Sequence, residues 1–196
     1  LDFELPRIES MTVGDDDQIV LIDHLGTCSV VDTTGAVSAQ FSTMPGTTDV
    51  EELSLVRGTP LAHEGTLYLP VTSLGKVLVF DLATGQELPS IGYQGTTAGQ
   101  LGFPVAVDVL PSGVVVVLDN SRFAVVCYSP SGRFLGEFGG KGFRDGWMYF
   151  PTLLSAAQDD QVVVGQILDQ RVQVFQVPEF VFERLSQEPE SGSEDV

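Results

Sequence analysis

A repeat of about 45 residues, in which each unit holds four short apolar runs separated by turn residues, constrains this chain more than any other feature. Four prolines open the units and lie 54, 44 and 47 residues apart, at Pro6, Pro60, Pro104 and Pro151. The runs have the length and the Val, Ile, Leu and Phe content of β-strands, and the chain has no helical period. The repeat therefore predicts four-stranded antiparallel units and about sixteen strands in all.

The turns between the apolar runs support this interpretation. The third turn of three units closes on a glycine, as hairpins with positive φ require: Gly35, Gly85 and Gly132. A four-stranded unit repeated at this period is typical of a β-propeller, in which each unit is one blade. We therefore predict an all-β fold, a β-propeller of four-stranded antiparallel blades, with approximate bounds 5–45, 46–98, 99–146 and 147–185.

The third unit carries the most specific motifs of the chain. They are Gly102-Phe103-Pro104, Asp119-Asn120-Ser121-Arg122-Phe123, the run from Gly132 to Gly139, and Phe150-Pro151. This unit resembles an NHL repeat and is similar to the bacterial six-bladed propellers grouped with that family. The fourth unit keeps a matching third strand at residues 171–175, the first two units match loosely, and the resemblance covers about residues 5–185. The resemblance implies the fold and says almost nothing about a ligand.

The number of blades departs from the family pattern, because the family usually closes with six and this chain supplies four. Three explanations follow: the other blades lie outside this chain, a partner or a second copy supplies them, or the four form an open arc or a small closed ring. An open arc leaves edge strands with unpaired backbone N–H and C=O groups, and such strands tend to pair with another chain. We favour an arrangement in which the first or last blade packs against another polypeptide.

The charge of the chain excludes several classes of partner. Nine Lys and Arg residues stand against 27 Asp and Glu, which gives a formal net charge of −18. Without a basic stripe, binding to nucleic acid or to an anionic membrane surface is disfavoured, and no apolar stretch is long enough for a transmembrane helix. We predict an extracytoplasmic location, periplasmic or secreted, with a cytoplasmic one as the alternative, since Cys28 and Cys127 fit a reducing interior equally well. The segment 186–196 is predicted to be a disordered acidic tail.

Catalytic and metal sites are not predicted. In a propeller, His24 and His63 would lie on opposite faces, so they should not share a metal ion. The acidic run Asp15-Asp16-Asp17 lacks the alternating spacing of a calcium loop and is better explained as a solvated turn. Asn120 is the single asparagine of the chain, and no G-x-S-x-G motif is present. The sequence therefore predicts no catalytic residue, no metal and no cofactor.

The loop between the third and fourth blades is the most informative surface segment. Residues 141–150 hold the only Trp, three further aromatic residues, a Met and two of the basic residues. These residue types are enriched at protein interfaces, although Phe143, Trp147 and Phe150 would also suit packing between blades. Six residues of this loop and of the corner beside it are predicted to bind a partner: Arg122, Phe123, Phe143, Arg144, Trp147 and Tyr149.

Three functional hypotheses follow. The first is a non-catalytic protein-interaction module, a subunit of an extracytoplasmic or membrane-associated assembly, which binds protein partners or itself through blade edges or the loop face. The second is a metal-dependent hydrolase, lactonase or lyase of the propeller type. The third is a sensor of a small ligand or glycan that binds through Trp147 and Tyr149.

Overall fold

The computed structural model describes residues 7–14, 17–44 and 57–187, and in these it contains fifteen β-strands and one α-helix. The first blade holds β1 (Ile8–Val13), β2 (Ile19–Asp23), β3 (Thr27–Val31) and β4 (Val37–Ser42). The second holds β5 (Leu61–His63), β6 (Thr66–Val71), β7 (Lys76–Asp81) and β8 (Glu87–Ile91). The third holds β9 (Pro104–Val109), β10 (Val115–Asp119), β11 (Ala124–Tyr128) and β12 (Phe134–Gly139). The fourth holds β13 (Pro151–Ala157), β14 (Gln161–Gln166) and β15 (Arg171–Gln176), and α1 (Glu179–Ser186) follows it.

Each blade is an antiparallel meander, in which strands that follow one another in the chain also pair in the sheet. The glycines that were expected to close the third turns, Gly35, Gly85 and Gly132, all have positive φ. Residues with a side chain would be strained in this left-handed region, so glycine fixes the turn. The prediction of an all-β propeller built from four consecutive blades is confirmed.

In the described part of the chain, the last blade has three strands where the repeat predicted four, and the segment expected to form the fourth strand is α1. Pro178 precedes the helix with a φ of −62°, and a proline at a helix start loses no hydrogen bond. Three apolar residues of α1 then pack on the core between the third and fourth blades: Val181, Phe182 and Leu185. Arg184 fastens the helix by donating a hydrogen bond from Nη1 to the carbonyl oxygen of Leu135, at 2.8 Å.

The core lies between blades, and the second and third sheets each bury both faces against a neighbouring blade. Along β10, Val116 and Leu118 face the fourth blade, whereas Val115 and Val117 face the second. This alternation follows from the two-residue period of a strand. We call the face that is turned toward the next blade the leading face, and the face that is turned toward the preceding blade the trailing face.

The four blades form an open arc rather than a closed ring. Three apolar clusters join the first blade to the second, the second to the third and the third to the fourth. No such cluster joins the fourth blade to the first in the described part of the chain. The trailing face of the first blade and the leading face of the fourth are therefore the two free ends of the arc.

The strands of the four blades occupy residues 8–42, 61–91, 104–139 and 151–176. The predicted acidic tail lies outside the described residues, apart from Ser186 and Gln187 at the end of α1. Among the described residues, no helix is long and apolar enough to cross a membrane.

Candidate interaction surface

The two loops that connect the last three blades are built on one backbone frame, with positions related by 47 residues. In the first loop, Gly95 N–H donates to the carbonyl oxygen of Leu101 at 3.0 Å, and in the second Gly142 N–H donates to that of Met148 at 2.9 Å. Leu101 and Met148 are both fully buried and fill the core between their blades. The frame thus depends on its glycines and on one buried aliphatic or thioether side chain.

The outward-facing positions of this frame differ sharply between the two loops. Where the first loop carries Thr96 and Gln100, the second carries Phe143 and Trp147. Gly102 likewise corresponds to Tyr149. The first loop keeps the same hydrogen bonds without an aromatic residue at any of these three positions, so the fold does not require them. Phe143 is 68% exposed and Trp147 is 48% exposed, although apolar surface of this size is normally buried.

Four aromatic rings near the loop form one cluster. The ring centroids of Phe143 and Tyr149 lie 4.6 Å apart, and those of Tyr149 and Phe150 lie 4.8 Å apart at nearly a right angle. Phe123 stacks on Tyr149 at 6.3 Å and meets the edge of Phe150 at 5.7 Å. Phe123 and Tyr149 are half-buried and support the exposed rings. Such contacts hold the rings in fixed positions before any partner arrives.

Hydrogen bonds to the fourth blade hold the loop itself in place. Gln173 Nε2 donates to the carbonyl oxygen of Trp147 at 2.8 Å, and the Gly146 N–H donates to Gln173 Oε1 at 3.1 Å. Arg171 donates to the carbonyl oxygen of Phe143 and forms an ion pair with Asp145 at 2.7 Å. An ordered loop loses little conformational entropy on binding, so its exposed aromatic rings are suited to form an interface.

The basic side chains at this surface divide into two groups. Arg122 forms a bidentate ion pair with Glu137, at 2.7 Å to each carboxylate oxygen, and also donates to the carbonyl oxygen of Gln100. Arg122 therefore pairs within the third blade and against the preceding loop. Lys141 lies 5.4 Å from the centre of the Phe123 ring, in a cation–π contact, and Arg144 is exposed. Lys141 and Arg144 also line a cavity of about 380 Å³ with Gly142, Phe143 and Trp147.

Phe123 occupies a backbone conformation that favours glycine. The residue that directly precedes the third strand has positive φ in every blade: Gly26 (81°), Gly75 (58°), Phe123 (58°) and Gln170 (49°). A bulky residue in this region costs about 1–2 kcal/mol. The aromatic contacts of Phe123 offset this cost, and the chain keeps a ring where the first two blades use glycine.

Replacing Phe123 with glycine tests this balance. We expect the free energy of unfolding to change by less than about 1.5 kcal/mol, because relief of the left-handed strain offsets the lost ring contacts. Urea unfolding followed by circular dichroism measures the effect, with Phe123→Ala as the control that loses the ring but keeps the strain. If Phe123→Gly were as unstable as Phe123→Ala, the positive φ would carry no strain.

The other residues that the sequence singled out are dispersed. His24 lies in the turn between β2 and β3, whereas His63 ends β5 at the opposite end of the second blade. Of the acidic run, Asp15 and Asp16 lie outside the described residues, and Asp17 has a left-handed φ of 56°. In the part of the chain that the structure describes, no three His, Cys, Asp or Glu side chains cluster closely enough to hold a metal ion.

Sequence reasoning did not single out Ile167 and Leu168, which are exposed in the turn between β14 and β15. This turn lies on the same face of the propeller as the aromatic loop, since Tyr149 N–H donates to Gln166 at the end of β14, at 2.6 Å. Two adjacent aliphatic residues in a predicted turn were the signal that could have identified them.

No protein-family model matches this chain, and no curated protein matches its sequence. Solved structures resemble it in fold. The computationally designed Ika4 protein shares 19% identity and a TM-score of 0.59, over 91% of this chain and 96% of that one. The WD40 β-propeller domain of Doa1 shares 16% identity and a TM-score of 0.62, over 89% of this chain.

A catalytically inactive variant of virginiamycin B lyase from Staphylococcus aureus, solved with quinupristin, shares 11% identity and a TM-score of 0.55 over 91% of this chain. The chain spans 59% of that lyase and 52% of the Doa1 domain, so it corresponds to little more than half of each. At these identities the likeness establishes the propeller fold alone. Because lyases and WD40 domains both use the fold, it does not decide whether this protein is an enzyme.

Proposed function

We propose that this protein is a non-catalytic protein-interaction module that binds its partner through an aromatic patch formed by Phe143, Trp147 and Tyr149. The observation that carries the proposal is the comparison of the two inter-blade loops, which share one frame while only the second has aromatic residues at the three compared positions, 143, 147 and 149. The first loop exposes Tyr93 and Phe103 elsewhere, outside these positions. Exposed aromatic residues that the fold does not need are typical of an interface centre.

The chemistry around the aromatic patch specifies the partner surface. Lys141 and Arg144 flank Trp147 on a chain whose formal net charge is −18, so this is a locally basic place on an acidic protein. A partner that presents apolar side chains together with a carboxylate would fit it, because the carboxylate meets the two cations while the rings are covered. The rigid loop favours a partner surface that is already shaped to receive it.

The resemblance of the third blade to an NHL repeat and the likeness to a WD40 domain concern the fold, which interaction modules and enzymes share, so the proposal rests on the aromatic patch. As part of the proposal, we place the protein in a larger extracytoplasmic or membrane-associated assembly. Its two cysteines are buried and free, so they do not distinguish between compartments. The lyase and hydrolase alternative has no support from a particular residue in the described chain, and the glycan-sensor alternative shares the aromatic patch and is separated from our proposal by experiment.

Site-specific photo-crosslinking tests the proposal. A photoreactive phenylalanine analogue at position 143 is expected to capture a protein partner in the cells that make this protein. The same analogue at position 96 is the matched control, because Thr96 occupies the equivalent position of the first loop. Trp147→Ala should abolish capture from position 143 and lower the affinity of the purified partner at least 10-fold, as loss of a central aromatic residue does.

Three results would contradict the proposal. Equal capture of the partner from positions 96 and 143 would mean that the aromatic patch does not bind the partner in preference to the first loop. Unchanged affinity in Trp147→Ala, measured by calorimetry with the captured partner, would remove the patch from the interface. A change in Trp147 fluorescence with simple sugars, in the absence of captured protein, would favour the glycan-sensor alternative instead.

A further inference from the structure

The two free ends of the arc expose residues whose equivalents are buried in every other blade. The third strand gives a direct comparison, since the residue before it has positive φ in each blade and sets a common origin. The position two residues after that origin is occupied, in the four blades in turn, by Cys28, Val77, Val125 and Val172. The first three are 0% exposed, whereas Val172 on the leading face of the fourth blade is 70% exposed.

The next position on the same face shows the same contrast. The position four residues after the origin is occupied, in the four blades in turn, by Val30, Val79, Cys127 and Val174. Each of the first three is at most 5% exposed and is part of an inter-blade core, whereas Val174 is 62% exposed. Leu153 pairs through Gly165 with Val172, so it lies on the same face and is exposed as well. The leading face of the fourth blade is thus an inter-blade surface without a neighbouring blade.

The trailing face of the first blade is its counterpart at the other end. The second strand of each blade allows the same comparison. The equivalent residue, four positions before the end of that strand, is Ile19, Leu67, Val115 or Val162 in the four blades in turn. Leu67, Val115 and Val162 are at most 1% exposed and contact the preceding blade, whereas Ile19 is 39% exposed. Met11 and Val13 lie beside Ile19 on that face and are 61% and 55% exposed.

The described residues that follow the fourth blade, 177–187, do not cover its free face. Helix α1 turns back over the third blade, where Val181 packs in the core and Arg184 is hydrogen-bonded to Leu135 of β12. Phe180 lies against Gly136 of the same strand. The helix therefore covers the core between the third and fourth blades and leaves Val172 and Val174 open.

The two free faces are of opposite types, so one second copy of the chain can cover both of them. Every internal interface joins a leading face to a trailing face, and the arc ends with one of each. A second copy of the chain would offer a trailing face to the open leading face and a leading face to the open trailing face. The chain covers 52% of the WD40 β-propeller domain of Doa1, so that propeller domain is about twice as long as this chain.

We propose that a second copy of this chain packs head to tail against the first and closes an eight-bladed ring. Each of the two new interfaces places Val172 and Val174 of one copy against the blade that holds Met11, Val13 and Ile19 of the other. A head-to-tail contact gives a closed assembly only when the rotation returns to its start, and two half rings meet that condition. The proposal stands apart from the aromatic patch, which lies on the loop face.

Light scattering coupled to size exclusion tests the proposal on the 196-residue chain. The expected mass at micromolar concentration is twice the 21.0 kDa of one chain. Two double variants should each reduce it to one chain mass: Met11→Glu with Val13→Glu at the first blade, and Val172→Lys with Val174→Lys at the fourth. The control is Leu168→Lys, which charges an equally exposed apolar residue outside the face and should leave the dimer intact.

Mixing the two double variants distinguishes head-to-tail packing from other arrangements. In a one-to-one mixture, one interface is wild type and the other joins glutamates to lysines, so a heterodimer of twice the chain mass should reappear. Circular dichroism identical to wild type in each variant shows that the monomers are folded. A wild-type monomer, an open-ended polymer, a dimer that survives both double variants, or a mixture that stays monomeric would each overturn the proposal.

Discussion

Replacing Asp119 with alanine is expected to lower the free energy of unfolding by about 4 kcal/mol, because it removes a buried charge that satisfies five donors. Asp119 is fully buried at the end of β10. Its carboxylate accepts hydrogen bonds from the backbone N–H of Gly102 (2.5 Å), Phe103 (3.1 Å) and Ser121 (3.0 Å). The Arg122 N–H (3.1 Å) and the Ser121 hydroxyl (2.9 Å) complete the set.

Urea unfolding followed by circular dichroism measures this loss, and two further variants identify its cause. Asp119→Asn keeps one carbonyl oxygen and should fall between wild type and alanine. Asp32→Ala removes a carboxylate that also accepts backbone hydrogen bonds, but in an exposed turn where water can replace them, so its effect should be far smaller. If Asp119→Ala and Asp32→Ala were equally stable, burial of the carboxylate would not be the source of the effect.

The Asp119 network also shows why the repeat was visible in the sequence. It joins the loop before β9 to the corner after β10. The same residue type ends the second strand of the first blade, whereas Val71 and Gln166 stand at this place in the second and fourth blades. Asp23 at the end of β2 plays a similar part, accepting from the N–H groups of Leu25 and Thr27 at 2.8 Å. Local requirements of this kind leave a trace in the sequence, and blade number and strand order could be predicted from them.

The last strand could not be predicted in the same way. The segment after Val177 is as apolar as a strand, and the fourth blade has a free leading face, so the local pattern fits either structure. The helix forms because Val181, Phe182 and Leu185 reach the core between the third and fourth blades. That choice depends on tertiary contacts, which a repeat pattern does not contain.

The sequence favoured an end blade that packs against another chain, but it did not identify the residues that form the free faces. Val172 and Val174 alternate with polar residues as in any half-buried strand, whereas the buried Val125 lies in an uninterrupted apolar run. This contrast does not tell which face of the fourth blade is free. The high aromatic content of the loop at residues 141–150 was clear from the sequence. The sequence did not show that Met148, rather than Phe143 or Trp147, fills the inter-blade core. Only the comparison with the equivalent positions of the first loop separates the residues that support the frame from those that are free to bind.

Both cysteines are expected to react with a disulfide reagent about a thousand-fold more slowly in the folded chain than in the unfolded one. Burial raises the pKa of Cys28 to about 12, and burial together with the nearby charge of Glu137 raises that of Cys127 to about 12. At pH 8 about one thiol in ten thousand is then ionised, against about a quarter at the ordinary pKa, and the thiolate is the reacting form. Both side chains are also fully buried, so reagent access requires opening of a blade interface.

The two thiols report on different interfaces, because Cys28 lies between the first and second blades and Cys127 between the third and fourth. Single variants, Cys28→Ser and Cys127→Ser, allow the rate of each remaining thiol to be followed as urea is added. In the isolated arc the first blade has one neighbour and the third has two, so Cys28 should become reactive at lower urea than Cys127. Closure of the ring gives the first blade a second neighbour, so the Met11→Glu, Val13→Glu background should widen this gap. Rapid reaction of either thiol in the native chain would contradict the packed inter-blade cores on which the fold rests.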